Sequence, residues 1–409
     1  MKKNKTHFLL WSLVILIPII IALIVFWQIN SQPKSNANIL DNSTLSQNNS
    51  VIESEPIATA VPDAPVVKTD RVFMFYYLSY GTKPIDGQWI GWNKNIRFPP
   101  EDIASSYYPL LGPYSSISRI TVSQHMKWIK DAGVDVVVVS WGGRQSRSDN
   151  LTPMVMDAAG NNGLKVAFQI EYYPKRTGEK IDDDMKYIID HYGSHPAFLR
   201  VSRPTKYGNS TQPRPVFYIL DSSIGINAVP AARWRIILDS LHNDTKYDSI
   251  VLGETQEPCF IDGCNDLAAE SHFDGIYTFN LVKKGRTTDL SVARNYTKNR
   301  NSIFSATVSP GYDSSRGLGD YRIVKRINDS AQPPLMYDYM WGQVILAQPE
   351  WVTINSFNNW LEGTQVEPAE QGKLGNGYAY GNYTYGSSQD SYLYMMRTAQ
   401  NINTFLATT

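Results

Sequence analysis

Ile354-Asn-Ser-Phe-Asn-Asn-Trp-Leu-Glu-Gly-Thr-Gln-Val-Glu367 emerges from an apolar run, Trp351–Ser356, and sets a carboxylate, Glu362, just beyond it. A short apolar run followed by polar and aromatic residues reads as a buried strand handing side chains to a loop. In a (β/α)8 barrel, the loops that follow the strands carry the chemistry. Seven more runs of this kind precede it: Val72–Leu78, Val134–Ser140, Lys165–Ile170, Pro215–Leu220, Ser249–Gly253, Phe273–Phe279 and Ile303–Val308. Helix-like stretches lie between several of them, at Ser118–Ala132, Met154–Asn162, Asp182–Tyr192, Ala231–Asn243 and, more weakly patterned, Leu290–Asn301. Strand and helix alternating eight times predict an α/β chain folded as a (β/α)8 TIM barrel, although an open doubly wound sheet fits the same alternation. The residues after the strands favour the barrel. Trp141 follows Ser140, Glu171 follows Ile170, Asp221 follows Leu220, Glu254 follows Gly253, and Asn359, Trp360 and Glu362 follow Asn358. Only a closed barrel brings all of these to one mouth. No repeat of 20 to 50 residues argues for a solenoid or propeller. The Gly/Tyr-rich tract Gly375–Tyr385 reads as a loop packed over the barrel by its tyrosines.

The chain has 409 residues, 42% of them hydrophobic and 12% aromatic, which is enough for one large core. Its formal charge is zero and its body holds no long basic run, so nucleic acid is not an expected partner. Phe8–Trp27 is an apolar run long enough to span a bilayer, interrupted only by Ser12 and Pro18, and Lys2, Lys3 and Lys5 precede it. No small-residue cleavage site follows, so the run reads as an uncleaved signal anchor with the positive end in the cytosol. The expected layout is a cytosolic tail at 1–7, a transmembrane anchor at 8–27, a lumenal stem at 28–70 and a single catalytic domain at 71–409. The stem is rich in Ser, Asn, Pro and Val and nearly free of aromatics, as a flexible spacer should be. Asn-X-Ser/Thr sequons begin at Asn42, Asn48, Asn150, Asn209, Asn243, Asn295, Asn328 and Asn382, in keeping with a lumenal body. The two cysteines, Cys259 and Cys264, are spaced to close a small loop in an oxidising compartment.

Hydrolysis of a glycosidic bond usually needs two carboxyl groups flanking the anomeric carbon. Glu171 and Glu362, at the ends of the third and eighth strands, are the candidate pair. Trp141 and Trp360 beside them suit the apolar faces of sugar rings. A solvated surface position is the plainer reading of each glutamate alone, and it is the combination that points to a carbohydrate cleft. Other chemistries lack their signatures. The chain has no Gly-x-Ser-x-Gly elbow, no Walker loop and no His-Glu-x-x-His. His191 and His195 are four apart, but Gly193 and Pro196 argue against a metal-binding helix face. No metal or other cofactor is expected.

Several stretches resemble the endo-α-1,2-mannosidases, a family of glycoside hydrolases. They are Phe75-Tyr-Tyr-Leu-Ser-Tyr-Gly81, Tyr107-Tyr-Pro-Leu-Leu-Gly-Pro-Tyr-Ser-Ser116, Val139-Ser-Trp141, Lys165-Val-Ala-Phe-Gln-Ile-Glu171, Tyr192-Gly-Ser-His-Pro-Ala-Phe198, Phe273-Asp-Gly-Ile-Tyr277, Pro310-Gly-Tyr312 and the 354–367 segment. The resemblance implies a (β/α)8 barrel that cuts within the glucosylated arm of high-mannose N-glycans. It implies retention of configuration, no metal, and a type II Golgi membrane location. It also implies that Glu362 serves as acid/base, that Glu171 contacts the sugar's 2-hydroxyl region, and that Trp141, Tyr277, Tyr76 and Tyr77 line the sugar site. The family reads Ser-Phe-Asn-Glu-Trp-His-Glu-Gly-Thr-Gln where this chain has Asn359 and Leu361, so its base glutamate is an asparagine here. An amide accepts a hydrogen bond but does not take up a proton at neutral pH. A second expectation therefore stands beside the enzyme: a catalytically silent, lectin-like relative that holds mannose-rich glycans.

Overall fold

The computed structural model describes residues 70–203, 207, 212–222, 229–255, 270–279, 290–327 and 335–408. The expected tail, anchor and all but the last residue of the stem lie outside these residues, as do Cys259, Cys264 and the sequons at Asn42, Asn48, Asn209 and Asn328. Among the described residues no helix is long and apolar enough to cross a membrane.

Eight parallel strands close into a barrel: Val72–Tyr76 (β1), Val136–Trp141 (β2), Lys165–Ile170 (β3), Arg214–Ile219 (β4), Ile250–Glu254 (β5), Gly275–Tyr277 (β6), Ile303–Val308 (β7) and Trp351–Ile354 (β8). Each strand pairs with its sequence neighbour, and β8 pairs back onto β1 with Val72 opposite Val352. That closure excludes the open doubly wound sheet. Continuous apolar runs form these strands because both faces are buried. Phe73, Phe75, Val136, Val138, Ala167, Tyr218, Leu252 and Tyr277 fill the interior. The alternate side chains Val72, Met74, Val137, Val139, Phe168 and Phe217 pack outward against the helices. In β6, Gly275 has no substitute, since a Cβ there would lie 2.4 Å from the carbonyl oxygen of Ile303 on β7.

The surrounding helices are Arg119–Asp131 (α1), Arg147–Asn161 (α2), Gly178–Tyr192 (α3), Ala231–Asn243 (α4), Leu290–Lys298 (α5), Met336–Ala347 (α6) and Leu393–Ala407 (α7). Ser118, Ser146 and Thr177 cap α1, α2 and α3 by accepting from a backbone N–H in the first turn. Helix α2 starts at Arg147 rather than Met154 and runs through Pro153, which cannot donate to the carbonyl of Asp149. The Tyr192 hydroxyl lies 3.1 Å from that carbonyl oxygen and 2.6 Å from Asp149 Oδ1, the nearer acceptor of its proton. Helices α6 and α7 have no counterpart among the stretches expected from the sequence. The Gly375–Tyr385 tract is built from two-residue hairpin strands and is pinned by buried tyrosines. Tyr380 donates to the Glu101 carbonyl and Tyr383 to that of Glu367, both at 2.9 Å.

Candidate active site

Beyond β8 the chain turns back on itself, and the peptide bond Asn355–Ser356 is cis. Ser356 N–H donates to the Thr364 carbonyl, Val366 N–H to that of Ser356, and Glu367 N–H to that of Phe357, each at 2.9 Å. The loop so closed presents Asn359, Leu361 and Glu362 to a cavity of about 410 Å³ at the C-terminal mouth of the barrel. That is within the usual size range for small-ligand pockets. Tyr77 from the end of β1, Ser140 and Arg147 from β2 and the start of α2, and Glu171 and Tyr172 from the end of β3 complete most of the wall, with Leu318 from the β7–β8 connection. Apart from Leu318, these residues come from four neighbouring strands, β8, β1, β2 and β3.

Glu171 accepts a hydrogen bond from Ser140 Oγ on Oε1 at 2.7 Å. Burial raises its carboxyl to about 7, the charge of Glu362 pushes the same way, and the Ser140 hydrogen bond and the Arg176 guanidinium pull against them. Arg176 also fixes the backbone here, donating to the carbonyls of Ile170 at 3.3 Å and Glu171 at 3.0 Å. A carboxyl that titrates near neutrality can both give and take a proton. Across the cleft, the Asn359 side chain clasps Glu362. Its Nδ2 donates to Glu362 Oε2 at 3.1 Å, and its Oδ1 accepts from Glu362 N–H at 3.3 Å. Asn359 N–H is itself held by Ser356 Oγ at 2.8 Å, and the Glu362 carbonyl accepts from Asp313 N–H at 2.8 Å. The Tyr77 phenol is held well above its ordinary range by burial and by the charges of Glu171 and Glu362.

Glu171, Asn359, Glu362 and Tyr77 therefore meet in one cleft, and the other four candidate residues, Trp141, Tyr76, Trp360 and Tyr277, do not line it. Trp141 is fully buried outside the barrel, where its Nε1 donates to Asp149 Oδ1 at 2.9 Å. Tyr76 points outward to His125, with 2.9 Å between its hydroxyl and Nδ1. Trp360 is buried with Nε1 donating to Glu367 Oε2 at 2.7 Å. Strand alternation turns Trp141 and Tyr76 away from the cavity, since successive side chains face opposite sides of a sheet, and Trp360 is turned away within the loop that follows β8. Ser140 and Tyr77 point into the barrel mouth, so Trp141 and Tyr76 point away. Tyr277 does face inward but lies fully buried in the barrel interior, where its hydroxyl accepts from Gln169 Nε2 at 3.1 Å. Asp221 and Glu254 at the ends of β4 and β5 bind each other, Asp221 N–H donating to Glu254 Oε2 at 2.8 Å.

Ser140, Arg147, Tyr172 and Leu318 join the cleft without having been singled out from the sequence as sugar contacts. Arg147 is anchored by Tyr80 O at 2.8 Å and Asp86 Oδ1 at 2.6 Å. Tyr172 and Leu318 are half exposed at the rim. The signal for Ser140 was its parity with Glu171, one strand over, where Ser140 pairs with Gln169. Among the described residues no group of three His, Cys, Asp or Glu side chains converges as a metal site.

The chain is similar to known glycosidases over its whole barrel. The model of glycosyl hydrolase family 99 matches residues 68–407. The glycoprotein endo-alpha-1,2-mannosidase of Mus musculus is 32% identical over 331 residues, covering 74% of this chain and 68% of that protein. The glycoprotein endo-alpha-1,2-mannosidase-like protein of Danio rerio is 33% identical over 331 residues, covering 73% of this chain and 71% of that protein. Among solved structures, the family 99 endo-alpha-mannosidase of Bacteroides thetaiotaomicron superposes with a TM-score of 0.70 at 27% identity, covering 83% of this chain and 98% of its own. A match that begins before β1 and ends in α7, with relatives of this identity and coverage, shows that the chain belongs to glycosyl hydrolase family 99, the family of the endo-alpha-mannosidases.

Proposed function

We propose that this protein cleaves an internal α-1,2-mannosidic bond in glucosylated high-mannose N-glycans, with retention of configuration. The observation that carries the reading is the meeting of Glu171 and Glu362 in one cleft at the barrel mouth. Glu362 donates a proton to the departing oxygen, and Glu171 sits at the 2-hydroxyl side of the sugar. Asn359 occupies the position of the base glutamate, where its amide offers the 2-hydroxyl a hydrogen bond but no proton acceptor. General-base help is worth roughly 10²–10⁴-fold, so the enzyme is slow for its family unless Glu171 takes that proton. Tyr77, Tyr172 and Leu318 provide the sugar-facing surface in place of Trp141, Tyr76 and Trp360. No metal or other cofactor enters the scheme.

The location we propose is the Golgi membrane, with type II topology and the catalytic body in the lumen. The topology rests on the 8–27 apolar run and on Lys2, Lys3 and Lys5 ahead of it, and the choice of the Golgi rests on the resemblance to the endo-α-1,2-mannosidases alone. Incubating the lumenal protein with a glucosylated high-mannose glycan tests the activity. Release of a glucosyl-mannose disaccharide is expected. Saturable binding without release overturns the hydrolase and leaves the lectin-like reading.

A further inference from the structure

Glu367, the last residue of the 354–367 segment, is fully buried, and a buried carboxyl persists only with partners. Its Oε2 accepts from the Tyr114 hydroxyl and from Trp360 Nε1, both at 2.7 Å, and its Oε1 lies 3.2 Å from His125 Nε2. Two strands of contact lead from this cluster to the cleft. One runs through His125, whose Nδ1 is 2.9 Å from the Tyr76 hydroxyl, next in sequence to the cleft residue Tyr77. The other runs through Asn358. Its Nδ2 donates to the Tyr114 hydroxyl at 3.3 Å and to the Tyr77 carbonyl at 2.9 Å, while its Oδ1 accepts from Tyr77 N–H at 2.8 Å. The Tyr80 hydroxyl closes the cluster, donating to the Asn358 carbonyl and accepting from Trp360 N–H, both at 2.9 Å.

None of Glu367, His125, Tyr114 or Trp360 lines the cavity, yet Tyr77, Asn359 and Leu361, which do, flank residues that this cluster grips. We infer that Glu367 is a positioning residue: by holding Trp360, Tyr114 and His125 together, it sets the distance between the Tyr77 wall and the turn that carries Asn359 and Glu362. The inference rests on the reading of this cleft as a glycosidase centre. Misplacing a catalytic group by about 1 Å costs on the order of 10²-fold in rate. Glu367 therefore acts on kcat through the turn, while Arg147, Tyr172 and Glu171 keep their grip on substrate.

Glu367→Leu removes both acceptor oxygens, whereas Glu367→Gln keeps one for Trp360 and Tyr114. For the leucine variant the expected result is a kcat lowered about 10- to 100-fold with KM within about twofold of wild type. Hydrogen exchange of residues 357–366 should rise about tenfold or more while the barrel strands stay protected. The glutamine variant should lose no more than about threefold in kcat, because an acceptor remains. If the leucine variant does not fold, Tyr114→Phe removes only the hydroxyl that donates to Glu367 Oε2 and should show the same pattern at about three- to tenfold. A purely structural residue would lower stability throughout and leave kcat per folded molecule and the local exchange of 357–366 unchanged, and that result overturns the inference. A wild type that releases no disaccharide defeats the proposed function, while the exchange measurement still decides this one.

Discussion

Replacing Glu171 by glutamine should stabilise the protein, and by an amount that depends on pH. Burial holds the Glu171 carboxyl at about 7 against 4.5 for an ordinary glutamate, so the folded protein binds this proton more tightly than the unfolded chain. The stability that Glu171 contributes is complete below pH 4.5 and is lost as pH rises through about 7. At about 1.4 kcal/mol per tenfold change in proton affinity, the gap corresponds to at most about 3.5 kcal/mol. Water in the open cleft screens part of it. Glutamine has the same shape, keeps an oxygen for Ser140 Oγ, and does not ionise. The variant should match wild type at pH 4.5 and exceed it by about 2–3 kcal/mol at pH 8, while losing turnover. Denaturant unfolding followed by tryptophan fluorescence at a series of pH values measures the difference. A stability difference that stays flat between pH 4.5 and 8 would refute the account of a desolvated carboxyl.

Three further outcomes follow from the geometry. Asn359→Glu should raise kcat by about 10²-fold or more if that position lacks only its base, and an unchanged kcat in a disaccharide-release assay would count against the assignment. Arg326 is buried, donates to the carbonyls of Gly363 at 2.9 Å and Gln365 at 2.8 Å, and lies among the rings of Tyr107, Tyr383 and Tyr394. Arg326→Leu leaves both carbonyls unpaired and should cost about 2–5 kcal/mol in denaturant unfolding. Gly317→Ala would put a Cβ 2.3 Å from the Leu361 carbonyl oxygen, so the turn must shift, and kcat/KM should fall about tenfold or more in steady-state assays.

All eight apolar runs became barrel strands because a parallel sheet buried on both faces needs uninterrupted hydrophobic segments, and few other elements do. The same continuity hid which way each side chain points. In Val136–Trp141 every residue is buried, so nothing in the run says that Ser140 faces the mouth and Trp141 the helices. A one-residue change of parity moves a side chain to the other face. Tyr76 and Trp141, which the family resemblance places at the sugar site, are buried on the outer face of their strands in this structure. Glu171 and Glu362 were legible at the mouth because each follows an apolar run, but position alone did not separate them from Asp221 and Glu254, which follow such runs too and bind each other instead. Helix starts were harder to read. Pro153 masks the first turns of α2, since a proline removes one bond of the helix ladder and reads as a helix breaker. Helix α6 is apolar on most sides and shows no clean amphipathic stripe, whereas α7 buries one, through Met395, Thr398, Ile402 and Phe405, that the sequence reading passed over.

Apart from Leu318, the described groups of the cleft come from consecutive strands, β8, β1, β2 and β3, so the two glutamates hang from hydrogen-bonded neighbours of one parallel ladder. A substitution that loosens any pairing in that half of the barrel should therefore alter the separation of the two carboxyl groups, while one that leaves the ladder intact should not.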